Sequence, residues 1–169
     1  MKTLGFIGTG GMGKGMAANL IKAGYSLVIT DLNREQAKDL EAQGAQFVDS
    51  PKAVAEQSEL VLSMLPHNDA VKAVGLGKGG LIEATSGTKV WIDFSSIDKE
   101  TIVRASDELG KKGWTVVDAS AGGVEEVAAA GNLALWLSGS KALFDAHQPI
   151  FEAMGKSALH VGELGNAKL

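Results

Sequence analysis

Gly8, Gly10 and Gly13 stand at Gly-x-Gly-x-x-Gly spacing directly after the apolar run Leu4-Gly5-Phe6-Ile7. Each glycine has a physical job at such a turn. Gly8 lets the chain reverse sharply out of a strand. Gly10, lacking a side chain, lets a pyrophosphate approach the backbone, and Gly13 lets the following helix lie close to the strand. The helix start offers unpaired N–H groups and a positive dipole end to phosphate oxygens. Asp31 follows Gly13 by eighteen residues, at the end of a second apolar run, Leu27-Val28-Ile29-Thr30. That is close to the ~20 residues at which an acid accepts the ribose hydroxyls of a dinucleotide. A carboxylate there repels a 2′-phosphate, so the spacing predicts NAD in preference to NADP. Arg34 lies three residues further on and tempers this, because an arginine near that position can reach a phosphate. Asp31 could also serve simply as a helix cap.

Other reactive side chains are sparser. Ser96 either donates near a nicotinamide or caps the helix that follows. Ser120 to Gly123 either cradles a carboxylate through backbone N–H groups and the Ser120 hydroxyl, or forms a plain loop of small residues. His67, after Pro66, is the one histidine placed for function, and no metal-ligand spacing exists. Glu125 and Glu126 read as a solvated helix start. The three tryptophans read as core.

Strands and helices must alternate to position these groups. Strands are predicted at about 3–7, 26–30, 46–48, 60–65, 90–94, 114–118, 133–137 and 158–161. Helices are predicted at about 12–23, 34–43, from Pro51 to near Ser58, after Pro66, at 99–109, 125–130 and 141–154. The stretch 119–131 reads as a loop with one short helix. The alternation implies an α/β fold: a Rossmann-type, doubly wound, mostly parallel sheet with helices on both faces. Ligands bind outside the carboxyl ends of the strands in such sheets. That edge collects Gly8 to Gly13, Asp31, Leu65-Pro66, Ser95-Ser96 and Asp118 to Gly123.

The 169 residues suit one domain. A formal charge of −4 gives no broad attraction for nucleic acid or an anionic membrane. There is no cysteine, which removes disulfide and thiolate chemistry and fits a cytoplasmic, reducing compartment. No leader and no apolar run of bilayer length are read in the sequence.

Gly5-Phe6-Ile7-Gly8-Thr9-Gly10-Gly11-Met12-Gly13, continued by Met16-Ala17-Ala18-Asn19-Leu20, resembles the dinucleotide signature of the β-hydroxyacid dehydrogenases, the 3-hydroxyisobutyrate dehydrogenase and tartronate semialdehyde reductase type. The resemblance covers the whole chain as that family's N-terminal, cofactor-binding domain. It implies cofactor contacts from Gly8, Thr9, Gly10, Gly11, Met12, Gly13 and Asp31. It adds Leu65 and Pro66, which match the family's Leu-Pro after strand four, and Ser96, from Asp93-Phe94-Ser95-Ser96, at the nicotinamide position. Asp118-Ala119-Ser120-Ala121-Gly122-Gly123-Val124 is similar to the substrate motif Asp-Ala-Pro-Val-Ser-Gly-Gly and implies substrate contacts from Ser120, Gly122 and Gly123. It departs from the motif in having Ser120 for the proline and Gly122 for the serine, which puts the usual substrates in question.

Gly162 and Gly165 match the start of the family's stretch that carries its catalytic lysine. Counted without gaps, that lysine falls just past Leu169. Lys168 comes three positions early: it is the catalytic lysine only if this protein carries a deletion there, and the favoured reading is an ordinary surface lysine. The resemblance thus implies a domain spanning 1–169 without the helical C-terminal domain, inactive by itself. The whole protein is expected to act on a small hydroxyacid or semialdehyde and to form a homo-oligomer through the missing part. A reading from another class is a non-catalytic dinucleotide-binding or assembly module with the same fold.

Overall fold

The computed structural model describes residues 2–168; Met1 and Leu169, the outer bounds of the expected domain, lie outside the described residues. Among the described residues eight strands form one sheet in the order β3-β2-β1-β4-β5-β6-β7-β8. They are β1 (Thr3–Ile7), β2 (Ser26–Thr30), β3 (Gln46–Phe47), β4 (Val61–Ser63), β5 (Val90–Asp93), β6 (Thr115–Gly122), β7 (Leu133–Ser138) and β8 (Gly155–His160). All neighbours pair parallel except β6 and β7, which run antiparallel. This is the α/β, mostly parallel arrangement expected from the alternating pattern.

The helices are α1 (Gly11–Lys22), α2 (Lys38–Ala42), α3 (Pro51–Glu56), α4 (Asn68–Leu76), α5 (Lys99–Gly110), α6 (Glu125–Ala129), α7 (Lys141–Ala146) and α8 (Gln148–Met154). Strand alternation divides the core into two layers. On one face Leu4, Phe6, Ile29 and Leu62 pack with Met16 and Leu20 of α1, Leu40 of α2, Ala128 of α6 and Phe151 of α8. On the other, Ile7, Val28, Val61 and Trp91 meet Val54 of α3, Val71 of α4, and Ile102 and Leu109 of α5. Side chains cap these helices: Ser50 accepts from Ala53 N–H, Asp98 from Thr101 N–H and Ser140 from Leu143 N–H.

Several boundaries differ from the sequence expectation, among them the following. β6 runs on to Gly122 where a loop was expected, because its second half pairs with β7 from Asp118↔Ser138 to Gly122↔Ala134. The helix expected over 141–154 breaks at His147, where Pro149 can supply no N–H to continue the ladder. The segment after Asn33 opens as a 3₁₀ turn, Arg34–Ala37, before α2 begins. β8 begins at Gly155 rather than Ala158, extending its parallel pairing with β7.

Candidate functional site

β1 delivers the chain to Gly8, whose φ of +96° lies in the region that favours glycine. A Cβ at Gly8 would stand 2.2 Å from the Met64 carbonyl oxygen, and one at Gly13 would stand 2.0 Å from the Gly8 carbonyl oxygen. Both positions therefore exclude a side chain through backbone contact. Gly10 occupies the cap of α1 and brings no side chain to the first helical turn. Gln36, from the 3₁₀ turn, lies directly over Gly10: a Cβ there would stand 1.7 Å from its Oε1. Gln36 is a flexible side chain at the loop that the spacing argument did not find.

Asp31 is tied to this loop across 22 residues. Its Oδ2 accepts from Thr9 N–H at 2.7 Å and from the Thr9 hydroxyl at 3.2 Å, while Oδ1 accepts from Asn33 N–H at 2.8 Å. Thr9 is fully buried and Asp31 half-buried. Asn33, not Asp31, caps the turn that follows, accepting from Glu35 N–H at 3.1 Å. The carboxylate is thus held beside the glycine turn, with the helix start next to it.

The same sheet edge carries a second cluster. Ser95 donates to Asp93 Oδ1 at 2.6 Å and accepts from Leu65 N–H at 2.8 Å, so it fixes the Leu65-Pro66 loop. Ser63 also donates to Asp93 Oδ1, at 2.7 Å, and accepts from the Trp91 indole N–H at 2.8 Å. Asp118 accepts from the Ser138 hydroxyl, from Gly165 N–H at 2.8 Å and from Ala167 N–H at 3.2 Å. These bonds draw residues 165–167 over the carboxyl ends of β5 and β6.

Lys168 follows. A surface lysine was expected, but its side chain is fully buried. Its Nζ donates to Asp93 Oδ2 at 3.2 Å, Asp93 O at 3.0 Å, Ser95 O at 2.6 Å and Ala119 O at 2.5 Å. Burial pushes its pKa below the usual lysine range, against the opposing pull of Asp93 and then Asp118. The physical reason for the burial is that a carboxylate and several carbonyl oxygens supply acceptors for every ammonium proton.

A cavity of about 370 Å³ opens beside this cluster, lined by Asn68, Ser96, Asp98, Ser120, Ala167 and Lys168 among others. Ser96 is exposed there and leaves the capping of α5 to Asp98. Ser120 stands in β6 and donates to the Ala167 carbonyl. The expected cradle of Ser120, Gly122 and Gly123 does not form one loop. Gly122 instead makes room for Trp136, whose ring would lie 2.8 Å from a Cβ there. Gly123 is exposed, with φ +144°. His67 caps α4, its Nδ1 accepting from Ala70 N–H at 3.1 Å.

Residues 3–162 match the NAD binding domain of 6-phosphogluconate dehydrogenase. The chain belongs to the β-hydroxyacid dehydrogenase family. Within that family it is 37% identical to 3-hydroxyisobutyrate dehydrogenase of Pseudomonas aeruginosa over 165 residues, 98% of this chain and 55% of the relative. It is 35% identical to 2-(hydroxymethyl)glutarate dehydrogenase of Eubacterium barkeri, covering 96% of this chain and 54% of the relative. The fold of the Mycobacterium tuberculosis 3-hydroxyisobutyrate dehydrogenase solved with L-serine superposes with a TM-score of 0.91 at 27% identity, over 99% of this chain and 57% of that one. The chain spans about half the length of the curated relatives it matches. It is a dinucleotide-binding domain of the hydroxyacid dehydrogenases and reductases, and no helix among its described residues is long and apolar enough to cross a membrane.

Proposed function

We propose that this domain binds NAD in preference to NADP, in a cytoplasmic enzyme that moves hydride between the nicotinamide and a small β-hydroxyacid or its semialdehyde. The observation that carries the reading is the Asp31 carboxylate, held by both polar groups of Thr9 beside a helix start capped by Gly10. With the flexible Gln36 side chain swung off Gly10, a pyrophosphate lies over Gly8, Gly10 and Gly11, where backbone N–H groups and the α1 dipole stabilise negative charge. Asp31 accepts the ribose hydroxyls and repels a 2′-phosphate. Met12 and Gly13 continue the turn into α1, and Leu65 and Pro66 stand at the nicotinamide side of the edge, positioned by Ser95.

The bound cofactor supplies the hydride chemistry. The chain's own residues bind and orient. Ser96 faces the cavity with its hydroxyl free of capping duty, suited to the nicotinamide amide or the substrate. Ser120 lines the same cavity and supplies a polar group for a substrate carboxylate, whereas Gly122 and Gly123 are committed to packing and to the turn. Lys168 holds its protons within the cluster, on Asp93, Ser95 and Ala119, and we assign it the bracing of the segment after Gly165. We assign proton exchange with the substrate to a lysine further along the whole protein, and its homo-oligomer contacts to the part beyond this domain.

Titration calorimetry with NADH and, separately, NADPH tests the reading. Clearly tighter NADH binding is the expected result. Tighter NADPH binding overturns the cofactor preference, and no binding of either at millimolar concentration overturns the site.

A further inference from the structure

Arg34 begins the 3₁₀ turn just after Asp31, close to where an arginine accommodates the 2′-phosphate of NADP in folds of this type. Here the guanidinium is already engaged. Its Nη1 and Nη2 form a two-pronged pair with the Glu41 carboxylate, the Nη2 to Oε1 bond being 2.6 Å. Its Cζ stands 4.0 Å from the centroid of the Phe47 ring on β3. The fork that would grip a phosphate is therefore spent on a carboxylate of its own chain, and an aromatic ring fixes where it lies. Asp49 and Glu35 stand close enough to add negative potential around it.

We infer that Glu41 is a specificity-determining residue for the dinucleotide, holding Arg34 over Phe47 and so withholding it from a 2′-phosphate. The inference deepens the reading of an NAD site at Gly8–Gly13 and Asp31 and rests on it. A 2′-phosphate entering this site must displace Glu41 from both Nη atoms while facing Asp31. NADH, with two ribose hydroxyls there, makes no demand on Arg34. The pair is half-exposed on the Arg34 side, so it contributes little to folding and its removal leaves the domain intact.

The test is the ratio of NADPH to NADH affinity, measured by calorimetry on this chain, on Glu41→Gln, and on the double variant Arg34→Ala/Glu41→Gln. Release of Arg34 toward the phosphate raises the ratio about tenfold in Glu41→Gln, the size of one charge-assisted hydrogen bond, and the double variant loses that gain. Glu41→Ala serves as a second variant, because it removes the amide oxygen through which Gln could still hold Arg34. An unchanged ratio in both Glu41 variants, with NADH still bound, overturns the inference and leaves the NAD site standing. An equal gain in the double variant also overturns it, because the effect would then be general charge and not Arg34. Failure of the unaltered chain to bind either nucleotide overturns the site itself and the inference with it.

Discussion

The turn after β1 and the cluster at the ends of β5 and β6 share one edge of the sheet, yet they are built by opposite means. The turn is made by leaving side chains out: Gly8 and Gly13 meet backbone oxygens at distances no Cβ tolerates, and Gly10 caps α1 without a side chain of its own. A carboxylate from the loop after β2, Asp31, is half-buried and held by Thr9 of the turn. The cluster is made by burying charge. Asp93, Asp118 and Lys168 are almost wholly removed from solvent; serine hydroxyls and backbone N–H groups satisfy the carboxylates, and Asp93 and carbonyl oxygens satisfy the ammonium. The contrast teaches that polarity at a sheet edge serves two ends. The half-buried carboxylate has acceptor capacity to give to a ligand. The buried groups have spent theirs on the fold.

Substitutions can break this contrast. The largest effect is expected from Asp93→Ala. It strands the Lys168 ammonium and removes the acceptor for Ser63 and Ser95, at a cost of about 3–5 kcal/mol in denaturant unfolding. A cost below ~1 kcal/mol would show that the cluster does not hold the fold. Gly13→Ala follows, at about 2–4 kcal/mol, because its Cβ collides with a carbonyl that cannot turn away. The control is Gly110→Ala at the end of α5, which meets nothing within 4 Å; thermal unfolding should show a small gain there.

Asp31→Ala sharpens the comparison from the other side. It should cost only about 1 kcal/mol of stability while lowering NADH affinity about tenfold or more, as read by the same titration. A stability loss as large as that of Asp93→Ala would erase the distinction between the two regions. The smallest effect is a pH slope. Burial depresses the Lys168 pKa in the folded chain, so the unfolded chain holds more protons between that value and the usual one near ~10.4. Stability therefore rises with pH across that window. Lys168→Met should flatten the rise when unfolding free energies of the two chains are compared at rising pH up to the usual lysine value of roughly 10.4.

Much of the fold was legible because its signals are local. Apolar runs and glycine stops placed the elements, and the caps Asn33, Ser50 and Asp98 stand within a few residues of the N–H groups they serve. The second half of β6 was not legible. Ser120-Ala121-Gly122 has the small residues of a loop, and only pairing with β7 keeps it extended. The break at His147 was hidden in a helical pattern that ran on through it.

By itself the sequence determined the glycine turn, the acid that follows it and the alternating elements that bring both to one edge. Each depends on chain neighbours or on a fixed period. Tertiary structure alone decided the fates of Lys168 and Arg34. Lysine and arginine are read as solvated unless partners are named, and the partners here lie elsewhere. Lys168 meets carbonyl oxygens of Asp93, Ser95 and Ala119, between 49 and 75 residues away. Any residue can supply a carbonyl oxygen, so no pattern of side chains marks the place. Arg34 meets a ring on β3 whose position depends on how that strand pairs with β2.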